Sequence, residues 1–409
     1  MSTHSPARDP TRRTVRLLNA VAFSRGLIFL IPVIVPYFAD HVGLGFRDFL
    51  ASEAVFAATM VAMEVPSGWL GDVWGRKRVI VLGGLVAALG AALFLPADSF
   101  LDAAVAQALV GVGIALYSGA DSALLYDCLA AHGREGRFRR LEGRRHGLGL
   151  YAVALSSVVG AGLYAIDPAW PVWGMVAAYL ATAGFALAIV EPPRVRQARR
   201  WATPDLRSLW ASHRGVLAVI AAGAVLFAAT SVGMWSQQPY YAHLGIGERW
   251  FGLLMAAGYL AGGLAGQFGH LLDRRLGPAG ALAGLWAVLA AAYGVTGLLP
   301  GYHGVVLLLV GSVVWGAGWP LVQTAINRRI SSARRATVLS AAALAIKLTF
   351  IPLSAAAGWL AEGHGITVAI AGLAGFLAVV GLAGALSLWR APTSPANTNG
   401  PGYWPFSPR

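Results

Sequence analysis

The stretch GWLGDVWGRKR, residues 68–78, joins two long hydrophobic runs of this 409-residue chain. The run on its N-terminal side covers Arg47–Leu70, and the run on its C-terminal side covers Arg78–Leu95. As helices, both runs are long enough to cross the roughly 30 Å hydrocarbon core of a bilayer. The stretch is therefore predicted to be the short loop between two membrane-spanning helices.

Ten further runs of the same kind bring the number of predicted spans to twelve. These ten are Arg16–Phe38, Leu101–Tyr126, His146–Ile166, Pro171–Val190, Gly215–Trp235, Trp250–Leu272, Ala279–Leu299, His303–Ile326, Thr337–Leu360 and Ile366–Leu388. Apolar residues make up 57% of the chain and charged residues 12%, whereas soluble domains have roughly 45–50% and about 25%. A soluble domain could not cover twelve surfaces that are apolar all round. The predicted fold class is an all-α membrane protein with twelve transmembrane helices.

The net charge of +13 is distributed unevenly along the chain. With the N-terminus in the cytoplasm, 27 of the 31 Lys and Arg residues fall in cytoplasmic segments. Arg47 and Arg249 fall outside, and Arg25 and Lys347 lie within spans. This asymmetry predicts cytoplasmic termini and a multi-pass protein of a bacterial inner membrane. The basic loops are explained by their role in orienting the protein in the membrane and by binding to anionic lipid headgroups. Membrane lipids are therefore expected partners, and nucleic acid is not an expected partner.

A segment that follows span 1 recurs about 202 residues later, after span 7. The sequence HVGLGFRDF at residues 41–49 returns as HLGIGERWF at residues 243–251. The pattern of Gly68–Asp72, after span 2, is repeated by Gly269–Asp273, after span 8. Matches in the same register indicate a duplicated six-helix unit, with two bundles related by a pseudo-twofold axis along the membrane normal.

The duplication divides the chain into four parts. Residues 1–190 are predicted to form the N-terminal bundle and residues 215–390 the C-terminal bundle. The arginine-rich segment Glu191–Arg214 is predicted to be a cytoplasmic linker. Residues 391–409 have few apolar side chains and are predicted to be a disordered cytoplasmic tail.

Span 8 carries a stripe of small residues on one helix face. Gly258, Gly262 and Gly266 follow one another at four-residue spacing. Small residues let membrane helices approach closely. The stripe is either a static packing surface or a seam on which the two bundles move.

The loop at residues 68–78 resembles the signature of the major facilitator superfamily, in which a glycine, three residues and an aspartate precede a glycine and basic residues. Residues 118–127 are similar to a bacterial sub-group of that superfamily. The resemblance covers essentially the whole chain and implies a transporter built of two six-helix bundles. It also implies a gating motif, with Arg76 paired to Asp127 and Asp72 capping span 11. The residues of this motif are Gly68, Asp72, Gly75, Arg76, Lys77 and Asp127.

The chain departs from the family pattern at three places. Val73 stands where a basic residue usually follows the aspartate. Gln107 stands where a span 4 motif has an arginine, four residues before Gly111-Val112-Gly113. The antiporter motif of many drug exporters is not recognisable in Gly147–Gly162.

Ionisable residues inside spans are costly, so each requires a functional or structural reason. Arg25 lies near the middle of span 1, and Glu64 and Asp121 lie about 9 Å to the cytoplasmic side of their span centres. These three residues are predicted to form one proton-coupling cluster, with Asp121 as the leading carrier. The alternatives are a permanent salt-bridge network and, for Glu64, a place in the gate. Glu53, nearer the outer face, is predicted to be a rim residue.

Lys347 lies at the centre of span 11, and spans 7–12 have no acid at a similar depth. It is predicted to face a cavity and to meet an acidic group of the substrate. The alternative is a pairing with an acid of span 2. The residues predicted to bind substrate are Arg25, Lys347, Tyr117, Trp319, Gln323 and Gln238.

The predicted function is secondary active transport of a small amphipathic organic solute with an acidic group, by alternating access and proton-coupled efflux. The chain has no nucleotide-binding loop of the form Gly-x-x-x-x-Gly-Lys-Ser/Thr and no catalytic triad at membrane depth, so neither an ATP-driven pump nor an enzyme is expected. No cofactor or metal is expected, and the protein is predicted to be a monomer. The alternatives are a multidrug–proton antiporter with an apolar pocket for cationic drugs, an uptake symporter for an organic anion, and a membrane receptor or scaffold.

Overall fold

The computed structural model describes residues 10–192, 214–327, 330 and 335–390. Within these residues the chain is helical. The helices of the first half are α1 (Pro10–Arg25), α2 (Ile34–Tyr37), α3 (Phe46–Trp74), α4 (Arg76–Ala92), α5 (Phe100–Tyr117), α6 (Ala120–Ala130), α7 (Phe138–Tyr164) and α8 (Ala169–Leu187). Those of the second half are α9 (Arg214–His243), α10 (Phe251–Leu298), α11 (His303–Leu308), α12 (Val310–Asn327), α13 (Arg335–His364) and α14 (Ile366–Arg390). Short 3₁₀ or π turns occur at residues 31–33, 38–42, 135–137 and 248–250.

The all-α membrane fold predicted from the sequence is confirmed. Among the described residues, nine helical segments are long and apolar enough to cross a membrane. They correspond to predicted spans 2 and 4–11. Three shorter apolar helices account for the other spans: Ile31–Val42 for span 1, the 17-residue α4 for span 3, and Ile366–Gly381 for span 12. The described helices are therefore consistent with twelve spans.

The helices pack mainly within their own half of the chain. In the first half, α4 packs against α5 and α8, and α1 packs against α7 and α8. In the second half, α10 packs against α12 and α14, and α9 packs against α13. The main helix contacts between the halves are α3 with α13 and α7 with α10, and α9 also contacts α2. The predicted linker Glu191–Arg214 and the tail 391–409 lie almost entirely outside the described residues.

The first span is broken, whereas the sequence predicted one continuous helix over Arg16–Phe38. Residues 26–30 form a non-helical segment between α1 and the 3₁₀ turn that begins the second piece. Pro32 follows this segment, and because proline lacks an N–H it removes a helical hydrogen bond. The N–H of Ile28 in this segment donates to the carbonyl of Gly26 and to Ser156 Oγ of α7, both at 3.0 Å. These acceptors satisfy a backbone group that lipid could not.

The fourth span is also broken, and its break brings Asp121 to the start of a new helix. Gly119 has φ +81°, a left-handed conformation that favours glycine, and it separates α5 from α6. Asp121 lies in the first turn of α6, where its Oδ1 accepts the N–H of Ser122 at 2.7 Å. Predicted spans 8 and 9 both lie in α10, and Gly277, with the non-helical angles φ +69° and ψ 170°, separates them by a kink.

The glycine stripe of span 8 packs inside the second half of the molecule. A Cβ placed on Gly262 would lie 2.6 Å from the carbonyl oxygen of Ser312, and one on Gly266 would lie 3.2 Å from that of Gly316. Both neighbours belong to α12. Of the two interpretations of this stripe, the geometry supports static packing of α10 against α12.

Candidate functional site

A cavity of about 370 Å³, here called the central cavity, lies between the two halves. Helix α3 of the first half and helices α9, α12 and α13 of the second half form its wall. The lining residues are Glu53, Phe56, Ala57, Ser231, Met234, Trp235, Trp315, Trp319, Ala343, Ile346, Lys347 and Phe350. The wall is largely apolar and aromatic, and the charged residues among these lining residues are Glu53 and Lys347. Such a cavity suits a small amphipathic molecule.

Lys347 lies in the wall of the central cavity, at the middle of α13. Its side chain is partly buried, and the carboxylate of Glu64 on α3 is close enough to act on it electrostatically. Glu64 itself is exposed. From the sequence, Lys347 was expected either to face a cavity or to pair with an acid of span 2. In the structure it does the first and also has Glu64 of span 2 as a neighbour.

Glu53 is buried in the cavity wall, although from the sequence it was expected at the rim. It is 8% exposed, and its Oε1 accepts a hydrogen bond from Nε2 of the buried Gln107 on α5. Both residues lie seven positions after the first residue of their helices, at Phe46 and Phe100. This equal depth is a signal in the sequence that could have indicated the pair.

Three tryptophans form the aromatic part of the cavity wall. Phe227 makes edge contacts with Trp315 and Trp319, with ring centroids 5.0 and 5.7 Å apart. Trp235 contacts Phe49 of the first half at 5.2 Å. Trp319 was predicted from the sequence as a substrate contact, and all three tryptophans line the central cavity.

Two amide residues from the predicted substrate set lie outside the cavity lining. The Gln238 side chain is 1% exposed and binds the broken first span. Its Oε1 accepts the N–H of Val35 at 3.0 Å, and its Nε2 donates to the carbonyl of Ile31 at 2.8 Å. Gln238 therefore satisfies backbone groups across the boundary between the halves. Gln323 is partly buried on α12, one turn beyond Trp319.

Arg25 and Asp121 form an ion pair inside the first half. Arg25 Nη1 lies 2.6 Å from Asp121 Oδ2, and the guanidinium of Arg25 lies over the ring of Tyr117, 5.5 Å from its centroid. Arg145 also binds Asp121 Oδ2, and its Nε donates to Glu142 at 2.8 Å. Asp121 and Arg145 are 1% and 5% exposed.

Arg145 was not among the residues predicted from the sequence, because span 5 was predicted to begin at His146 and the arginine was assigned to a loop. Helix α7 instead begins at Phe138, so Arg145 is two turns inside it. Glu64 was predicted to join this cluster, but its electrostatic effect in the structure is on Lys347. The observed network therefore contains two arginines and two carboxylates, the second being Glu142.

The motif between α3 and α4 binds the end of the fourth span. Arg76 contacts Asp127 and donates to the carbonyl of Ala123 at 2.6 Å, and its backbone N–H donates to Glu191 at 2.9 Å. Gly75 ends α3 with φ +109°, a conformation that favours glycine. Gly68 and Asp72 are exposed and Lys77 is partly buried. Residues 331–334, which precede α13, lie outside the described residues, so capping of span 11 by Asp72 stays a prediction.

Two sets of polar contacts between the halves lie at one end of the molecule. Arg47 Nη1 at the start of α3 lies 2.6 Å from Glu362 Oε2 near the end of α13. The bonds of Gln238 lie at the same end. Gly252 of α10 also approaches α7 there, since an added Cβ would clash with the carbonyl oxygen of Ser157. This is the end predicted to face outward.

The fold and the central cavity are those of a membrane transporter with two helical bundles, and solved structures agree. The nucleoside transporter NupG superposes with a TM-score of 0.76 at 14% identity, covering 94% of this chain and 100% of that one. A D-xylose-proton symporter superposes with a TM-score of 0.70 at 14% identity, covering 93% of this chain and 97% of that one. At this identity the likeness concerns the fold alone.

The family model of the Major Facilitator Superfamily matches residues 17–346, so the chain belongs to that family. It is accordingly a transporter and not an enzyme. Among curated proteins, the dipeptide and tripeptide permease A of Cronobacter turicensis is 37% identical over 100 residues. That match covers 24% of this chain and 20% of the permease, so the similar stretch is about a fifth of the relative's length.

Proposed function

We propose that the protein is a proton-coupled secondary transporter of a small amphipathic organic solute that carries an acidic group. The observation that carries the proposal is Lys347, a cation in the aromatic wall of the central cavity. A carboxylate on the solute would bind this cation by a charge-assisted hydrogen bond. Trp315 and Trp319 would stack on the apolar part of the same solute.

The Arg25–Asp121 pair supports a role of the first half in coupling. A change in this ion pair, with Arg145 as a second partner of Asp121, would alter the charge distribution beside α5 and α6. Arg76 with Asp127, at the other end of α6, would hold the cytoplasmic gate. Asp72 would strengthen that gate by capping α13.

Two directions of transport are compatible with this mechanism. Efflux, predicted from the sequence, requires exchange of the solute for a proton. Uptake by symport is a second candidate, and the names of two similar proteins favour it, a peptide permease and a D-xylose-proton symporter. The protein would work as a monomer in a bacterial inner membrane, with both termini in the cytoplasm.

A ligand screen followed by a flux assay tests the proposal. Purified protein is heated with organic acids, di- and tripeptides, cationic drugs and lipids, and the compounds that raise its melting temperature are retained. Each retained compound is then tested in proteoliposomes under an imposed pH gradient. Accumulation on the alkaline side indicates symport, and accumulation on the acidic side indicates antiport.

Proteoliposomes with the Lys347→Ala variant provide the matched control. An acidic solute should stabilise the wild-type protein and not this variant. If the best ligand is a permanent cation that stabilises both proteins equally, the cavity is an apolar multidrug pocket. If stabilising ligands show no flux with or without a gradient, the receptor or scaffold alternative is favoured.

A further inference from the structure

Glu53 differs from the other buried or half-buried carboxylates in the kind of partner it has. Asp121 binds the guanidinium groups of Arg25 and Arg145, and Glu142 shares Arg145. The partner of Glu53 in the described part of the chain is the neutral amide of Gln107. An ionised carboxylate in a site of low dielectric is costly without a cation beside it, and it becomes much less costly when it takes up a proton.

Glu53 is also the carboxyl group in the lining of the central cavity, where Lys347 lies on the opposite half. A proton that binds there can be released when α3 and α13 separate. Asp121 is 1% exposed and lies outside that lining. Protonation of Asp121 would also remove the counter-charge of two arginines.

The remaining charged groups on and around α3 lie away from Glu53. Arg47 and Glu362 pair with each other at the end predicted to face outward. Asp48 lies near the start of α3 and Asp72 near its end. Further titratable groups on neighbouring segments are Asp40 and His41 before α3, Asp102 and Tyr117 at the two ends of α5, His364 at the end of α13, and Arg76, Lys77 and Arg78 at the start of α4. Glu64 lies eleven residues further along α3, about 16 Å at helical rise, where it acts on Lys347.

We propose that Glu53 is the carboxyl group that binds the transported proton, and that Gln107 positions it. The proton binds a carboxylate oxygen of Glu53 while Gln107 Nε2 donates to Oε1. This inference rests on the proposed function, since it assigns the proton of that transport cycle to one residue. Asp121 then remains in its ion pairs and keeps α1, α6 and α7 together.

The same geometry links proton binding to an acidic solute. An acidic solute bound at Lys347 brings its own negative charge into the cavity that Glu53 lines. Two negative charges in a site of low dielectric repel each other, so Glu53 binds a proton more strongly when the solute is present. Because such coupling is reciprocal, the proton strengthens binding of the solute by the same factor. Solute and proton then occupy the cavity together, which is the requirement for symport.

Infrared difference spectroscopy on the full chain in liposomes tests the assignment without any solute. Spectra in acidic minus alkaline buffer should contain a carbonyl-stretch band of a protonated carboxylic acid. Isotope-labelled glutamate should shift this band, because it arises from glutamate and not aspartate. The Glu53→Gln variant should lose the band, whereas Glu64→Gln and Asp121→Asn should retain it.

Three outcomes would overturn the proposal: no such band in the wild-type protein, a band that survives in Glu53→Gln, or a band that disappears in Glu64→Gln. Glutamine keeps the size of Glu53 and a carbonyl that can accept from Gln107, so this variant should fold. If it does not, Glu53→Asp serves as the second variant, and its band should respond to labelled aspartate instead. The spectra do not depend on transport, so the assignment of the proton to Glu53 and the proposed transport activity can be disproved independently of each other.

Discussion

At the residue scale, placing Lys347 inside the membrane costs free energy, and this cost requires an explanation. A lysine at the centre of a membrane helix costs about 2.5–3.5 kcal/mol on insertion scales. In this structure it lines a cavity rather than facing lipid, and Glu64 acts on it from α3. Its position between an apolar wall and an acid of the opposite half is suited to a cation that exchanges partners.

Two substitutions of Lys347 should show how much of the solute affinity comes from its positive charge and how much from the geometry of its hydrogen bonds. Lys347→Ala is expected to weaken binding of an acidic ligand by about 1.5–3 kcal/mol, the range for a hydrogen bond to a charged group. Lys347→Arg should retain part of the affinity, because it keeps the charge and changes the donor geometry. Titration calorimetry with the best acid from the screen measures both. Unchanged affinity in Lys347→Ala would contradict an acidic contact at this residue.

Asp121 holds together three helices through its two arginines. Asp121→Asn should lower the stability by roughly 3 kcal/mol, because it leaves the buried Arg145 and the neighbouring Arg25 without this counter-ion. Thermal unfolding in detergent measures the loss. Asp127→Asn, at an exposed ion pair of the same helix, is the control and should change stability much less.

The same Asp121→Asn variant distinguishes the two assignments of the proton. If Asp121 is the carrier predicted from the sequence, transport driven by a pH gradient should be lost while solute exchange persists. If Glu53 is the carrier, the fraction of Asp121→Asn that remains folded should still respond to the gradient.

At the scale of elements, backbone geometry at close helix contacts explains several of the glycines. Helices α10 and α12 approach so closely that a Cβ on Gly316 would clash with the carbonyl oxygen of Gly262. A side chain could be accommodated there only if one helix were displaced. The interface therefore depends on the absence of side chains at these two positions.

Gly316→Ala should destabilise the protein by about 1–3 kcal/mol, the usual cost of overpacking a tight interface. Gly263→Ala is the matched control, because a Cβ at Gly263 meets no atom within 4 Å in the described structure and the residue lies on the same interacting helix as Gly262. The melting temperatures of the two variants in detergent are compared. If both substitutions lower the melting temperature equally, the α10–α12 interface relaxes around the added methyl group at little cost.

At the scale of the whole molecule, the two halves are joined at the end predicted to face outward. The Arg47–Glu362 pair is exposed at this end, with side chains 54% and 56% accessible. Exposed pairs contribute little to stability. A small contribution is nevertheless enough to bias an equilibrium between two arrangements of similar free energy.

Arg47→Ala should shift the molecule toward the outward-open arrangement by a factor of about two to five, in line with a modest exposed ion pair. Distances between spin labels on the outer ends of α3 and α13 measure the populations. The exchanged pair, Arg47→Glu with Glu362→Arg, should restore the original populations. If Arg47→Ala leaves the populations unchanged, the pair does not contribute to closure.

The orientation in the membrane is tested by labelling from outside the cell. Cysteines introduced at Gly45 or Gly247 should react with an impermeant reagent, whereas one at Arg137 should not. The native Cys128 is buried, so the parent chain should give a low background. Reaction at position 137 from outside would reverse the predicted topology.

The sequence by itself determined the all-α membrane fold and the family. Long apolar runs, the distribution of arginines and the Gly68–Arg78 motif are local or repeated features, and they do not depend on how helices meet. The depths of Arg25, Asp121 and Lys347 could also be counted along the chain. A cluster containing Arg25 and Asp121 was predicted from the expected adjacency of their spans.

Only the tertiary structure decided which groups at similar depth share a site. It brought Glu53 to the amide of Gln107 and into the cavity wall, it brought Arg145 to Asp121, and it directed Gln238 to the broken first span. These contacts depend on the rotation of each helix about its axis and on where its backbone breaks. Rotation is set by packing with neighbouring helices, and runs that are apolar all round carry little periodic signal from which to predict it.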